Sequence, residues 1–209
     1  MRIGMNLIYT IGHSNLDPLD FVAALKKCNV TLVADVRSLP RSTRFPQFSR
    51  ENLEEGLREM GIRYLFLGDE LGGRPADPKL YGTNGLVNYR VRRGCQDFQY
   101  GIERVVELAQ TAQPALLCAE EDPITCHRFL LVTPELLLRG ISPVHIRKGG
   151  ALESQAEAED RLLGAHQADI AGASLFSADR AAALEDALLI QAEKCAYRAD
   201  PQALEYSQY

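Results

Sequence analysis

Hydrophobic residues along this chain fall into two kinds of run. Short continuous stretches at residues 7–11, 31–36, 63–67, 115–119 and 143–146 read as strands, the β-branched 31–36 run as one buried on both faces. Between them apolar positions recur at helical spacing. Phe21, Leu25 and Cys28 follow the start signal Asp17-Pro18, and Leu53 and Leu57 follow Ser49, a candidate N-cap, before Gly61 ends the helix. Phe98, Ile102, Val105 and Ala109 mark a third helix, and a fourth is predicted over residues 129–138. Strands that alternate with helices in this way favour a parallel sheet joined by right-handed crossovers. The expected fold is therefore a Rossmann-like three-layer α/β domain over residues 5–150, with a mostly parallel five-stranded sheet. Residues 151–209 hold two further helical stretches, 153–164 and 178–197, broken at Ala171-Gly172-Ala173-Ser174, and read as a C-terminal helical extension.

Charge separates these two regions. The net charge of −5 comes from the extension, where eleven acidic groups face four basic ones, leaving 19 basic against 17 acidic groups in residues 1–150. The α/β part is thus suited to an anionic partner although the whole chain is acidic. A hydrophobic content of 46% is that of a globular protein, and no apolar run approaches the length of a membrane span, so a cytoplasmic protein without membrane contact is expected. Five scattered cysteines do not form a disulfide framework and read as reduced thiols.

The loops entering strands are plain, whereas those leaving strands carry the polar chemistry: Gly12-His13-Ser14, Asp35-Val36-Arg37, residues 68–74 with Gly72-Gly73, and the segment from Cys118 to Arg128. In a parallel sheet these loops share the carboxyl edge, where helix N-termini favour anions. Candidate catalytic residues are His13, Asp35, Glu120, Cys126 and His127; candidate substrate-binding residues are Ser14, Arg37, Arg41, Arg44, Gly72, Gly73 and Arg128. Cys118 lies inside an apolar strand and is expected in the core.

Three chemistries compete for the Cys118–Arg128 segment. Cys118, Cys126 and His127 match no C-x-x-C spacing, so a metal would need a further ligand from elsewhere, and none is assigned. Nine residues between Cys118 and Arg128, and one between Cys126 and Arg128, do not suit a cysteine phosphatase, which needs five. The residue types suit best a carboxylate, Glu120 or Asp122, acting beside His13 or His127 while Arg37 and Arg128 hold phosphate. Residues 37–50 add four arginines and two phenylalanines without an acid, a pattern that fits single-stranded nucleic acid. Residues 68–94, with Tyr81, Tyr89 and a basic end at Arg90, Arg92 and Arg93, form a connection long enough to serve as a lid.

Thr10-Ile11-Gly12-His13-Ser14, Asp35-Val36-Arg37 with Pro40 and Ser42, Leu67-Gly68 with Gly72-Gly73, Leu117-Cys118-Ala119-Glu120 through Cys126-His127-Arg128, and His145-Ile146 together resemble the domain of unknown function 488 family over residues 7–148. The resemblance implies a compact α/β domain and does not by itself imply a reaction. The leading expectation is an enzyme, a hydrolase or transferase, acting on a nucleotide, nucleic acid or other phosphate-bearing substrate. Its rivals are a non-catalytic nucleic-acid-binding module and a thiol redox or metal-binding protein. No motif specifies a cofactor or an oligomeric state.

Overall fold

The computed structural model describes residues 7–173 and 179–200. Five parallel strands, β1 (Tyr9–Gly12), β2 (Leu32–Asp35), β3 (Arg63–Phe66), β4 (Pro114–Cys118) and β5 (Val144–Ile146), are joined by helical crossovers, as the alternating pattern predicts. The sheet is larger than expected. A sixth strand, β6 (Leu152–Ser154), pairs antiparallel with β5, giving the order β3-β2-β4-β1-β5-β6. Three residues that are exposed or half-buried carry too little periodicity to be read as a strand, so the first residues of the extension complete the sheet unannounced.

Helices α1 (Pro18–Lys27) and α2 (Arg50–Glu59) cover one face, with Phe21, Leu25, Leu53 and Leu57 packed on Ile11, Val33 and Leu117. On the other face lie α5 (Gln96–Thr111) and α6 (Thr133–Leu138), together with α7 (Gln155–Ala165) and α9 (Arg180–Cys195) of the extension. Ala158, Leu162 and Ala187 of the extension share a core with Leu116, Phe98 and Phe129. A short helix α8 (Gln167–Ala173) covers the first part of the expected break, and Ser174 lies outside the described residues. No described helix is long and apolar enough to cross a membrane.

Three local expectations change. Ser49 occupies the N-cap position of α2, but its side chain makes no cap bond and accepts the Ser42 N–H at 3.2 Å. The helix predicted over 129–138 opens with a π-helical turn, Arg128–Val132. Pro134 lacks the N–H that would bond the Leu130 carbonyl, and Thr133 satisfies the Arg128 carbonyl through its hydroxyl at 2.9 Å, which favours the wider turn there. Residues 68–94 are not an open lid. They fold into α3 (Gly68–Leu71), a short turn at Pro78–Leu80 and α4 (Tyr89–Arg93). Arg92, 2% exposed, pins them by donating to the Glu70 carbonyl at 2.6 Å and to Asp97 at 2.7 Å. A bridge between Leu86 and Arg198 ties the same segment to the extension.

The topology also locates a crevice. From β1 the chain crosses towards β2, whereas from β4, its neighbour, it crosses towards β5. The loops leaving these two adjacent strands therefore turn to opposite faces of the sheet, and ligands of open α/β sheets bind at such a switch point.

Candidate active site

The β1 and β4 exits are held together by backbone before any side chain contributes. The N–H groups of His13 and Ser14 donate to the carbonyls of Cys118 (3.0 Å) and Ala119 (2.8 Å). The approach is close enough to require glycine at the end of β1, because a Cβ on Gly12 would lie 1.6 Å from the Glu120 carbonyl oxygen. Arg128 then shapes the β4 loop from within. It is fully buried and donates to the carbonyls of Glu120 (2.6 Å) and Glu121 (2.8 Å), with Nε reaching Thr10 Oγ1 at 3.3 Å. Its guanidinium is a loop support, and the expected phosphate clamp is not its geometry.

Asp35, Arg37 and His13 form a second buried assembly. Arg37 pairs with Asp35 in bidentate fashion, Nε to Oδ1 at 2.9 Å and Nη2 to Oδ2 at 2.6 Å, and its Nη1 donates to the Phe48 carbonyl at 2.8 Å. Tyr64 donates its hydroxyl to the same carboxylate at 2.8 Å. His13 stacks on Phe48, with ring centroids 4.4 Å apart, and its Nε2 lies 3.1 Å from Arg37 Nη1. A guanidinium only donates, so Nε2 is the acceptor and the proton sits on Nδ1, bonded to the Ser14 carbonyl at 3.0 Å. Burial, and then the adjacent Arg37 charge, lower the His13 pKa to about 4. The ring is neutral with both nitrogens engaged, which removes it from the proton-transfer role expected of it. Asp122, the alternative carboxylate, caps the turn at Pro123–Thr125 and pairs with Arg161 at 2.7 Å.

Cys118 departs furthest from expectation. It is buried, yet its sulfur turns out of the core and approaches Glu120 Oε2 at 3.0 Å and His127 Nδ1 at 3.4 Å. Cys126 Sγ lies 3.9 Å from the same Nδ1 and accepts the Arg128 backbone N–H at 3.5 Å. One ligand atom from each of Cys118, Glu120, Cys126 and His127 lies within 4.8 Å of the others. A carboxylate two residues beyond Cys118 thus joins the two sulfurs and the imidazole that the sequence spacing alone did not bring together. His127 Nε2 donates to the Val36 carbonyl at 2.8 Å, so in the neutral ring the Nδ1 lone pair faces the sulfurs. Gly73 packs against this imidazole, where a Cβ would lie 2.9 Å from His127 Cγ, and Gly72 lies against Ser38.

The two thiols do not share the negative charge evenly. Burial raises Cys118 well above the ordinary thiol range, and the neighbouring Cys126 raises it further. Cys126 overcomes the same burial because it accepts from Cys118 and faces the Arg128 charge, and it falls well below that range. Glu120 is exposed as a residue, but its carboxyl turns back on the sulfurs, and loss of water there, then the Cys126 charge, raise it.

Two adjoining cavities of about 570 and 520 Å³ open along this edge. The first is lined by His13, Ser14, Arg44 and Phe45, the second by the four-residue cluster, Gly73, Arg74 and, from the extension, Cys195 to Arg198. Arg37, Leu39, Arg41, Ala119 and Glu120 line both, whereas Asp35 lines neither. Arg41 is exposed and makes no hydrogen bond or ion pair among the described residues. Arg74, Tyr197 and Arg198 were not among the sequence candidates. The Gly-Gly-Arg run offered a signal for Arg74, but the tail residues are brought here by tertiary contacts, among them the Leu86–Arg198 bridge and the Arg198 bond to the Asn84 carbonyl at 2.9 Å.

With this geometry in place, comparison with known families is decisive on membership. The family described as Domain of unknown function DUF488 matches residues 18–133, more than half of the chain. The chain belongs to this DUF488 family. No curated protein and no solved structure matches it. The matched region carries Asp35, Arg37 and the entire segment from Cys118 to Arg128, so the thiol, carboxylate and imidazole cluster lies within the family domain. Gly12 and His13 precede the match, and the wall formed by Cys195 to Arg198 follows it.

Proposed function

We propose that this DUF488 protein is a hydrolase acting on a phosphate-bearing substrate, such as a nucleotide, bound in the adjoining cavities at the carboxyl edge of the sheet. The observation that carries this reading is that Glu120 and Arg41 both line the two cavities. Arg41 is a guanidinium free to meet an anion, and Glu120 is an exposed residue whose carboxyl turns back on the reactive cluster, where loss of water raises its pKa. Exposed Arg44, Arg74 and Arg198 add positive charge around the openings. In this reading Glu120 transfers the proton of the attacking water and Arg41 orients the phosphate. His13 and Arg37 serve as a rigid wall.

The nucleic-acid-binding alternative loses much of its support. Phe48 is 1% exposed and stacks on His13, Arg92 is buried, and Arg90 and Arg93 line a different cavity beside Leu137 and α9. The test is a hydrolysis screen of phosphate mono- and diesters and nucleotides, with binding followed calorimetrically. Glu120→Gln should abolish turnover and leave binding within about threefold, whereas Arg41→Ala should weaken binding about tenfold, the loss of one charge-assisted contact. Full activity in Glu120→Gln, or no binding of any phosphate compound, would sink the reading.

A further inference from the structure

We propose that Cys118, Cys126 and His127 form a metal site, best suited to zinc, with Glu120 facing the position left open to water. Each donor arrives from a rigid part of the fold. Cys118 is the last residue of β4, Cys126 closes the turn at Pro123–Thr125, and His127 leads into the π-helical turn. Tetrahedral zinc with ordinary Zn–S and Zn–N lengths sets a sulfur-to-nitrogen edge of about 3.5 Å. The two sulfur-to-Nδ1 separations, 3.4 and 3.9 Å, bracket that edge without rearrangement.

A second observation comes from the far side of the imidazole. His127 Nε2 donates to the Val36 carbonyl at 2.8 Å, which places the Nδ1 lone pair between the two sulfurs. Ligating histidines are held in this way, the other ring nitrogen bonded to a carbonyl or carboxylate that fixes tautomer and ring orientation. The backbone N–H of Arg128 directed at Cys126 Sγ, 3.5 Å away, supports a thiolate there. Two thiolates and an imidazole are a soft donor set, which selects zinc over magnesium or calcium.

Glu120 differs from the three ligands. They are buried or half-buried, whereas Glu120 is exposed and reaches the cluster while also lining both cavities. Two cysteines and a histidine with one position open to water, and a carboxylate beside it, constitute a hydrolytic arrangement. Metal binding itself rests on the donor geometry; the role in catalysis rests on the reading of Glu120 given above. In that role the water gives a proton to Glu120 and its oxygen bonds to the electrophilic atom. The bond to the leaving group breaks, and the leaving group takes the proton from Glu120.

The experiment is elemental analysis of the full chain purified without chelator and dialysed after addition of zinc. About one zinc per chain is expected, with loss in Cys118→Ser, Cys126→Ser and His127→Ala, and retention in Glu120→Gln and in the control Cys95→Ser. Because a cysteine variant can lose zinc by misfolding, the unaltered protein supplies an independent readout. Zinc should slow alkylation of Cys118 and Cys126 at least tenfold, a chelator should restore it, and the cobalt form should show sulfur-to-metal charge-transfer absorption. A folded protein that retains no zinc and alkylates equally fast with and without it would overturn the site. Phosphate binding weakened by Arg41→Ala in such a zinc-free protein would leave the substrate reading standing. Bound zinc in a protein that neither binds nor hydrolyses phosphate compounds would support the metal site and sink the substrate reading.

Discussion

Two polar assemblies sit side by side at the carboxyl edge of the sheet, and they use their hydrogen-bonding capacity in opposite ways. In the first, from β1 and β2, Asp35 receives Arg37 and Tyr64, Arg37 also reaches Phe48 and His13, and His13 has both ring nitrogens engaged. In the second, at the exit of β4, two sulfurs, a carboxylate oxygen and an imidazole nitrogen converge on one point. Arg128 satisfies the loop's carbonyls beneath them. The first network is closed and the second is open. Density of polar residues in sequence does not distinguish the two cases. What distinguishes them is what they are matched with: guanidinium and hydroxyl donors fill the first, whereas the second holds together through thiol contacts of 3.0 to 3.9 Å beside a cavity.

If this contrast is sound, substitutions in the closed network should act on stability and those in the open cluster on chemistry. The largest effect is expected for Asp35→Ala, which strands the buried Arg37 charge and should cost about 4 kcal/mol in urea unfolding. A double variant, Asp35→Leu with Arg37→Met, should recover much of that loss; no recovery would mean that the pair is more than a buried ion pair. Arg128→Met comes next. It leaves the Glu120 and Glu121 carbonyls without their donor, and about 3 kcal/mol of stability should be lost.

Acid should expose the neutral histidines of the framework. Burial, the largest cause, brings both His13 and His145 down to about 4, and the positive Arg37 adds to the effect at His13. His145 is held by Thr10 at 2.8 Å and Gln155 at 2.9 Å. The unfolded chain binds these protons near pH 6.5 and the folded chain only near pH 4. Their stabilisation is therefore complete above the unfolded value and declines as pH falls through this window, by about 3 kcal/mol for each histidine. His145→Gln should flatten about half of that dependence, measured by urea unfolding across pH. An unchanged slope would locate the acid sensitivity elsewhere.

Smaller stability effects should accompany changes at the open cluster. Gly73→Ala presses a methyl group on the His127 ring, for about 1 kcal/mol of stability, and should weaken zinc binding about tenfold if ring orientation matters. Glu120→Gln should move stability by about 0.5 kcal/mol or less, as expected of an exposed side chain. A large loss there would move Glu120 into the closed network and remove the contrast.

Much of the framework is legible in the residue pattern because periodicity reflects local geometry and one-sided burial. The five parallel strands lie within one or two residues of expectation, and α1, α2 and α5 carry their predicted apolar positions inward. The misses have particular causes. Strand β6 is three residues long and packs weakly, while the π-helical turn depends on how Thr133 and Pro134 satisfy neighbouring carbonyls. Residues 68–94 are held by Arg92, whose partners are distant carbonyls that leave no periodic trace.

The sequence by itself determined the alternation of strand and helix, the excess of basic groups before residue 151, the grouping of polar residues at strand exits and membership of the DUF488 family. Only the tertiary structure decided which of those residues are occupied. Arg128, His13 and Arg37 read in sequence as groups available to a ligand, yet their partners are Glu120, Ser14 and Phe48 carbonyls supplied by loops or turns. Cys118 reads as core, yet the β4 exit loop returns to lay His127 over its sulfur. Side-chain availability is a property of every neighbour at once, and it becomes defined only when the chain has closed around it.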